Sequence, residues 1–240
     1  MDFMRLLKSL EELLYELVSW LVFYPLTFWR ALSRPLPMMR YADLELGDRP
    51  EDQYEDTLSP PLFLLITLMI AQGLASLMPL VHRPDEIGGE LSSTANLLIA
   101  RGVIFSVFPL VMSVTLLRHK GLRLTRESLR PPFYSQCYVA APFVLVATLG
   151  LDALMVKAEG GWLAAGLAAI ALAILWYGQA QVRWFVRDLG IGWGRAVALF
   201  LSAFAIALVT ALCLTVVIGL SFGHLPLDGA VSSAAGSGKG

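Results

Sequence analysis

The sequence predicts an all-α, polytopic membrane protein with five transmembrane helices and an N-terminal amphipathic helix in the membrane interface. Hydrophobic residues make up 57% of the 240-residue chain and charged residues only 15%, whereas about a quarter of the residues are charged in soluble proteins. The apolar residues are concentrated in five long runs, and the basic residues fall on alternate connections between those runs. Both patterns are typical of chains that cross a bilayer several times.

The five apolar runs have the length that a membrane-crossing helix requires. A helix rises about 1.5 Å per residue, so about 20 residues cover a hydrocarbon core of about 30 Å. The predicted spans are residues 60–80, 96–117, 138–156, 162–182 and 196–220. We therefore expect a transmembrane domain over residues 60–222. The Ser-, Gly- and Ala-rich residues 223–240 are expected to form a disordered external tail.

The basic residues predict the orientation of the chain. If the N-terminus is cytoplasmic, the cytoplasmic segments contain 14 of the 18 lysines and arginines. These are six in residues 1–59, five in 118–137 and three in 183–195. Positive charges near the ends of spans are retained in the cytoplasm. We therefore expect a bacterial inner (plasma) membrane protein with a cytoplasmic N-terminus and a periplasmic, external C-terminus.

Residues 1–39 are expected to form an amphipathic, interfacial segment on the cytoplasmic side. Apolar residues recur at three- and four-residue spacing, which places them on one face of a helix. They are Phe3, Leu6, Leu7, Leu10, Leu13, Leu14, Leu17 and Leu21. This face either lies in the membrane interface or packs on the protein's own cytoplasmic loops. The aromatic stretch 17–28 is too short to span a bilayer and contains Pro25, so we expect it to be interfacial or re-entrant.

Residues 40–59 differ sharply in charge from the segments on either side. They contain seven acids and only two arginines, a composition typical of a solvated acidic linker. In the alternative interpretation, the acids dock on the basic loop 118–130, which is predicted on the same side of the membrane. That loop contributes five candidates for contact with lipid headgroups. They are Arg118, Lys120, Arg123, Arg126 and Arg130.

Two predicted spans contain small residues at every fourth position, which places them on one helix face. Such stripes allow the backbones of membrane helices to approach closely. The fourth span contains Gly161, Ala165, Ala169 and Ala173, and the fifth contains Ala203, Ala207, Ala211, Thr215 and Gly219. The stripes predict that the two spans pack on each other or on copies from another subunit.

Arg101 and Asp152 are candidates for an ion pair within the membrane. Arg101 lies about one turn inside the second predicted span, and Asp152 lies near the outer end of the third, which runs in the opposite direction. Both are therefore expected at a similar depth, where pairing offsets part of their desolvation. A structural ion pair, a substrate or proton site, and unpaired residues that extend to the headgroups all remain possible.

The sequence offers no catalytic, metal-binding or cofactor-binding motif. His82, His119 and His224 are far apart, and no nucleophile–base pattern, phosphate loop or dinucleotide fingerprint is present. Cys137 and Cys213 are expected to be packing residues rather than partners in a disulfide or a metal site. We therefore expect no enzyme activity and no nucleic-acid partner.

The arrangement resembles the Yip-type family of integral membrane proteins and their bacterial, permease-like relatives. The residues that carry the resemblance are Ser59-Pro60-Pro61 before the first span and Pro131-Pro132-Phe133-Tyr134 before the third. An acidic N-terminal segment, five spans and an outward C-terminus complete it over residues 40–222. The chain lacks the Asp-Leu-x-Gly-Pro and Gly-Tyr signatures of eukaryotic members. The resemblance therefore implies architecture but no functional residues.

These observations predict a non-enzymatic inner-membrane protein that acts as a helix-packing scaffold or as a subunit of a membrane assembly. Its expected partners are the lipid bilayer and either further copies of the chain or other membrane subunits. The alternative is a transporter, permease or channel for a small solute or lipid. That alternative also requires an oligomer, since five short spans enclose little space.

Overall fold

The computed structural model describes residues 2–49, 52–78, 94–156 and 161–221, and these residues form seven α-helices and no extended strand. The prediction of an all-α protein is confirmed. The helices are α1 (Asp2–Ser33), α2 (Pro35–Glu45), α3 (Pro60–Ala75), α4 (Thr94–His119), α5 (Arg126–Leu154), α6 (Trp162–Leu189) and α7 (Trp193–Ser221). The predicted tail 223–240 lies outside the described residues.

Among the described residues, four helices are long and apolar enough to cross a membrane, which makes this a multi-pass membrane protein. Their qualifying segments are Leu98–His119, Arg126–Leu154, Trp162–Leu189 and Trp193–Leu220. Helix α5 is the central one, because 72% of its most apolar stretch is buried against 22–28% in the other three. It contacts α1, α2, α3, α4 and α6. The outer helices therefore present most of their apolar side chains on the surface of the bundle.

The first predicted span is shorter in the structure than in the sequence analysis. Helix α3 has 16 residues, Pro60–Ala75, and a turn follows it as far as residue 78. It starts where expected because Pro60 and Pro61 occupy the first two helical positions, whose N–H groups have no partner inside a helix. Residues 79 and 80 lie outside the described ranges. The count of five spans stays a prediction.

Helix α5 begins at Arg126, well before the predicted start at residue 138. Residues 118–137 were assigned to the connection before the third span, but residues 126–137 are helical. A capping box starts the helix: the Thr125 hydroxyl accepts the Ser128 N–H at 3.1 Å, and the Ser128 hydroxyl accepts the Thr125 N–H at 2.9 Å. Much of the basic loop 118–130 is therefore the first turns of α5.

Helix α1 is one continuous helix that includes the aromatic stretch 17–28. Its second half packs on the bundle, and Thr27 and Ala31 are completely buried. The leucines between residues 7 and 21 are exposed. They therefore do not pack on the protein's own loops, which was one of the two interpretations. They are Leu7, Leu10, Leu13, Leu14, Leu17 and Leu21. Their placement in the membrane interface stays a prediction.

The segment 40–59 is folded rather than simply solvated. Residues 40–45 belong to α2, so the expected boundary between residues 39 and 40 falls inside a helix. Ala42, Tyr54 and Leu58 are buried together with Met39, and α2 packs on α5. The expectation of a solvated linker was wrong at these positions because apolar residues between the acids find partners on α5.

The bundle has two ends, which we name by their contents. The linker end comprises residues 52–59, 118–130 and 184–195. The opposite end comprises the first turns of α4 and α6 and the last turns of α5 and α7. We call it the ion-pair end, because Arg101 and Asp152 lie there.

Candidate functional site

A chain of hydrogen bonds at the linker end joins α1, α2 and α5 to the segment before α3. Arg30 donates to one carboxylate oxygen of Asp56 at 2.8 Å, and the Tyr41 hydroxyl donates to the other at 2.6 Å. The Thr57 hydroxyl donates to Tyr41 at 3.2 Å and lies 3.2 Å from the Tyr138 hydroxyl. We call these five residues the linker-end cluster. It fixes α1 and α2 to the central helix.

The linker-end cluster shifts the pKa of two of its members. Desolvation acts to raise the pKa of Asp56, but the hydrogen bonds from Tyr41 and Arg30 outweigh it and hold that pKa below its usual value. The pKa of Tyr41 is raised, first by desolvation and then by its hydrogen bond to the Asp56 carboxylate. Asp56 is therefore charged and Tyr41 neutral at neutral pH, the state in which their hydrogen bond is strong.

A second polar group surrounds a cavity of about 280 Å³ at the same end. Lys120 lies 2.8 Å from Asp188 of α6, and the Ser135 hydroxyl donates to Asp43 of α2. The indole nitrogen of Trp184 is buried at the cavity and has no acceptor within the described residues. These contacts join the α4–α5 connection to α6, and α5 to α2.

The five predicted headgroup-binding residues do not share one environment. Lys120 is engaged by Asp188, and the Arg130 guanidinium lies 5.2 Å from the centre of the Tyr134 ring. Arg118, Arg123 and Arg126 are exposed. Lys120 and Arg130 are exposed as well, and contact of all five residues with lipid headgroups stays a prediction. The acids of residues 40–59 form no salt bridge with this loop among the described residues.

Two glutamines form a polar contact in the core between α5 and α6. Gln136 donates to the side-chain oxygen of Gln181 at 3.1 Å, and Gln181 donates back to Gln136. Both side chains are completely buried. The reciprocal bonds satisfy an amide N–H and an amide oxygen on each side. Gln181, at the inner end of the fourth predicted span, was expected to hydrogen-bond across helices, but the sequence did not identify Gln136 as its partner.

Aromatic rings fill the middle of the bundle. Phe143 of α5 stacks on Tyr177 of α6 with ring centres 4.6 Å apart. Phe108 of α4 meets the edge of Phe143 at 5.3 Å, and Phe204 of α7 lies 5.5 Å from Phe108. Each of the helices α4, α5, α6 and α7 thus contributes one ring to this aromatic centre. It joins them where the polar contacts of the linker end stop.

Arg101 and Asp152 form an ion pair at the ion-pair end. The guanidinium Nη2 lies 3.3 Å from Oδ1 of Asp152, and the side chains are 23% and 9% exposed. The pairing is incomplete, because Nη1 of Arg101 and Oδ2 of Asp152 are buried and have no partner within the described residues. The structure thus brings together the two charged residues that the sequence analysis placed at similar depth.

The small-residue stripes are only partly buried. Ala173, Ala203, Ala207 and Ala211 are buried, whereas Gly161, Ala165 and Thr215 are exposed and Ala169 and Gly219 are half-buried. Helices α6 and α7 do touch, but α6 contacts α5 more extensively and α7 contacts α4 more extensively. The stripes therefore coincide with buried helix faces only in part, and neither identifies the main partner of its helix.

One close helix contact was not identified by the stripes. A Cβ atom added at Gly166 of α6 would lie 2.7 Å from the carbonyl oxygen of Gly150 in α5. A Cβ atom at Gly150 would lie 3.1 Å from the Gly166 carbonyl oxygen. Only glycine at both positions permits this approach without a shift of the backbone.

An apolar cleft lies between the α4–α7 and α5–α6 pairs and extends toward the ion-pair end. Its volume is about 450 Å³. The aromatic rings of Phe108, Phe143 and Phe204 line it in the middle of the bundle, and Leu151, Leu212 and Thr215 line it nearer the ion-pair end. Ile104 and Phe105 belong to the same wall of α4 as Arg101, one turn away.

The described residues contain no cluster of three or more histidine, cysteine or acidic side chains that could hold a metal. Cys137 is a buried free thiol in α5, and Cys213 is an exposed free thiol in α7. Neither is placed beside a candidate base or ligand group. Comparisons of the chain with models of protein families, with curated proteins and with solved structures gave no match.

Sequence reasoning missed the linker-end cluster, the glutamine pair and the Gly150–Gly166 contact. The partners of the glutamine pair are 45 residues apart along the chain, and Tyr138 bonds to a residue 81 positions away. A usable signal existed for Gln136, since polar residues that belong to membrane helices usually bond across helices. This signal was missed because the third span was predicted to start at residue 138, after Gln136.

Proposed function

We propose that the protein is a non-enzymatic, multi-pass protein of the inner membrane that acts as a scaffold or as a subunit of a membrane assembly. Its N-terminus is cytoplasmic and its C-terminus external in this proposal, as the distribution of lysine and arginine favours. The predicted span 60–80, whose first residues form helix α3, is then the fifth crossing. The architectural resemblance to Yip-type proteins supports the same topology.

The observation that carries the proposal is the solid packing around α5. The linker-end cluster, the Gln136–Gln181 pair and the stack of Phe143 on Tyr177 occupy successive levels along this helix. These contacts fill the middle of the bundle around α5 with side chains. A protein built in this way acts through its surfaces rather than through an internal conduit.

Helix α1 supplies the surface that is best prepared for this role. Its second half is fixed by the bond from the Leu58 N–H to the Thr27 hydroxyl at 3.2 Å and by the Arg30–Asp56 ion pair. Its first half presents the exposed leucines that were defined above. A leucine face mounted on a packed bundle suits the membrane interface and a partner helix alike.

The test is extraction of the full chain into native lipid nanodiscs, followed by measurement of the particle mass and identification of co-purifying proteins. A particle with several copies of the chain or with other membrane subunits is the expected result. A Leu14→Gln, Leu21→Gln double variant is expected to lose that assembly, whereas Glu11→Gln, Glu12→Gln on the polar face retains it. A single copy without any protein partner contradicts the proposal.

Transport of a lipid or a small apolar solute is the second candidate, and the cleft between the helix pairs favours it. The cleft is almost entirely apolar and lies beside an incompletely paired ion pair. Reconstitution of the purified protein in liposomes provides the test. Flux of a labelled lipid or solute above that of protein-free liposomes would favour transport over the scaffold role.

A further inference from the structure

We propose that the cleft between the α4–α7 and α5–α6 pairs is a binding site for one aminophospholipid. One acyl chain occupies the apolar cleft, and the headgroup meets Arg101 and Asp152 at the ion-pair end. This inference does not depend on the scaffold role. A bound lipid of this kind is compatible with a scaffold, a subunit or a transporter.

The cleft has the size and the lining that an acyl chain requires. Its volume of about 450 Å³ lies within the range of about 300–1,000 Å³ that is usual for small-molecule sites. Thr215 is the only lining residue with a polar side chain, and its hydroxyl already donates to the Ala211 carbonyl at 2.8 Å. The lining therefore offers dispersion contacts and no competing polar group.

The cleft is open to the side, toward the region that lipid chains occupy. Leu208, Leu212 and Thr215 line it and are also exposed on α7, and Leu151 is exposed on α5. All four belong to helices that are long and apolar enough to cross a membrane. An acyl chain of the surrounding bilayer can therefore enter sideways without passing through water.

The ion pair provides the polar end of the site. Arg101 lies one helical turn before Ile104 and Phe105 of the cleft wall, and Asp152 directly follows Leu151. Within the part of the chain that the structure describes, the buried Nη1 of Arg101 has no acceptor and the buried Oδ2 of Asp152 has no donor. Buried charged groups of this kind usually have all their hydrogen bonds satisfied. The pair is thus short of one acceptor and one donor.

A phospholipid with a primary amine supplies both missing groups. A phosphate oxygen accepts a charge-assisted hydrogen bond from Arg101, and the ammonium group donates one to Asp152. The trimethylated ammonium of a choline headgroup has no N–H and cannot donate. The charge pattern of the site therefore favours phosphatidylethanolamine over phosphatidylcholine.

The experiment compares lipid retention by native mass spectrometry. The full chain is reconstituted in vesicles with equal amounts of phosphatidylethanolamine and phosphatidylcholine that carry the same acyl chains, and is then released with mild detergent. We expect one phosphatidylethanolamine per chain, retained in preference to phosphatidylcholine by roughly ten-fold, the effect of a single charged hydrogen bond. Equal retention of the two lipids overturns the assignment of the headgroup.

Two matched substitutions on α7 test the cleft itself. Thr215→Phe places a ring at the exposed rim of the cleft, so it reduces lipid retention without changing the buried core. Ala205→Phe adds the same ring at an exposed position that does not line the cleft, and it leaves retention at the wild-type level. Equal retention by the two variants overturns the assignment of the acyl-chain site.

Asp152→Asn tests recognition of the headgroup independently of binding of the acyl chain. It keeps the shape of the side chain and removes the charge that attracts ammonium, so we expect total retention to persist while the preference for phosphatidylethanolamine disappears. Thermal unfolding in detergent shows whether the variant is folded. A folded Asp152→Asn variant that retains the preference for phosphatidylethanolamine contradicts the proposal. If this variant does not fold, the wild-type and Thr215→Phe measurements decide whether the proposal stands.

Discussion

Single residues hold the helices together through polar contacts that cross from one helix to the next. Arg30 reaches Asp56, Gln136 reaches Gln181, and Arg101 reaches Asp152. In an apolar surrounding, an unpaired polar group is costly, so the Gln136–Gln181 and Arg101–Asp152 contacts specify which helix lies beside which, whereas the Arg30–Asp56 pair is more exposed. The similar membrane depth that the sequence predicts for Arg101 and Asp152 was sufficient to propose their contact. It could not predict the first two, because their partners follow from tertiary packing.

The Arg101–Asp152 pair gives the first prediction at this scale. Arg101→Ala and Asp152→Ala are each expected to cost about 1–3 kcal/mol of stability, because each leaves a buried polar partner unsatisfied. The double variant should cost less than the sum of the two, since neither charge then remains. Unfolding in mixed micelles measures the four free energies of the cycle. Additive losses would show that the two residues do not interact.

Asp56 gives a prediction about pH. Its pKa in the folded protein lies below the ordinary value of 3.8, so its contribution to stability is present above about pH 4 and is lost as the pH falls through the lower folded value. Hydrogen exchange of α1 amides near Arg30, corrected for intrinsic rates, is therefore expected to be flat from pH 7 to 5 and to rise below pH 4.

A substitution separates Asp56 from the other acids of the same segment. Asp56→Asn removes the charge that Arg30 contacts, so it should raise the corrected exchange of these amides at pH 7. Asp52→Asn changes an exposed acid of the same segment and should leave exchange unchanged. Identical profiles for the two variants would mean that Asp56 does not hold α1.

Helices were predictable where an apolar run alone determines them. The spans expected at 162–182 and 196–220 lie within α6 and α7, and both helices extend a few residues beyond them. The predicted third span begins at residue 138, whereas the Thr125–Ser128 capping box initiates α5 ahead of Pro131 and Pro132. Local hydrogen bonds decided this boundary, and the average hydrophobicity did not contain that information.

The close approach of α5 and α6 gives the prediction at the scale of elements. Gly166→Ala places a methyl group 2.7 Å from the Gly150 carbonyl oxygen, so we expect the helices to move apart at a cost of about 1–3 kcal/mol. Gly102→Ala is the matched control, because a Cβ at this helical position in α4 meets nothing within 4 Å. It should be neutral or stabilising. A lower midpoint of unfolding for Gly102→Ala than for Gly166→Ala would contradict the account.

The whole molecule is a bundle arranged around one buried helix, with its charged groups at the two ends. Helix α5 contacts α1, α2, α3, α4 and α6, while the remaining long helices present apolar surfaces suited to lipid. The sequence was sufficient to predict a multi-pass, all-α protein. It could not predict that α2 and Tyr54 pack on the bundle, since their segment has the composition of a solvated linker. The proposed scaffold role and the proposed lipid site both depend on how this bundle is threaded through the membrane.

The most direct test of that threading is a pair of compartment-specific reporters fused separately to the two termini of the full chain. The account predicts that the reporter at the N-terminus is active only in the cytoplasm and that the one at the C-terminus is active only outside, because α3 completes an odd number of crossings. Reporters that are active in the same compartment would contradict the five crossings and the proposed orientation.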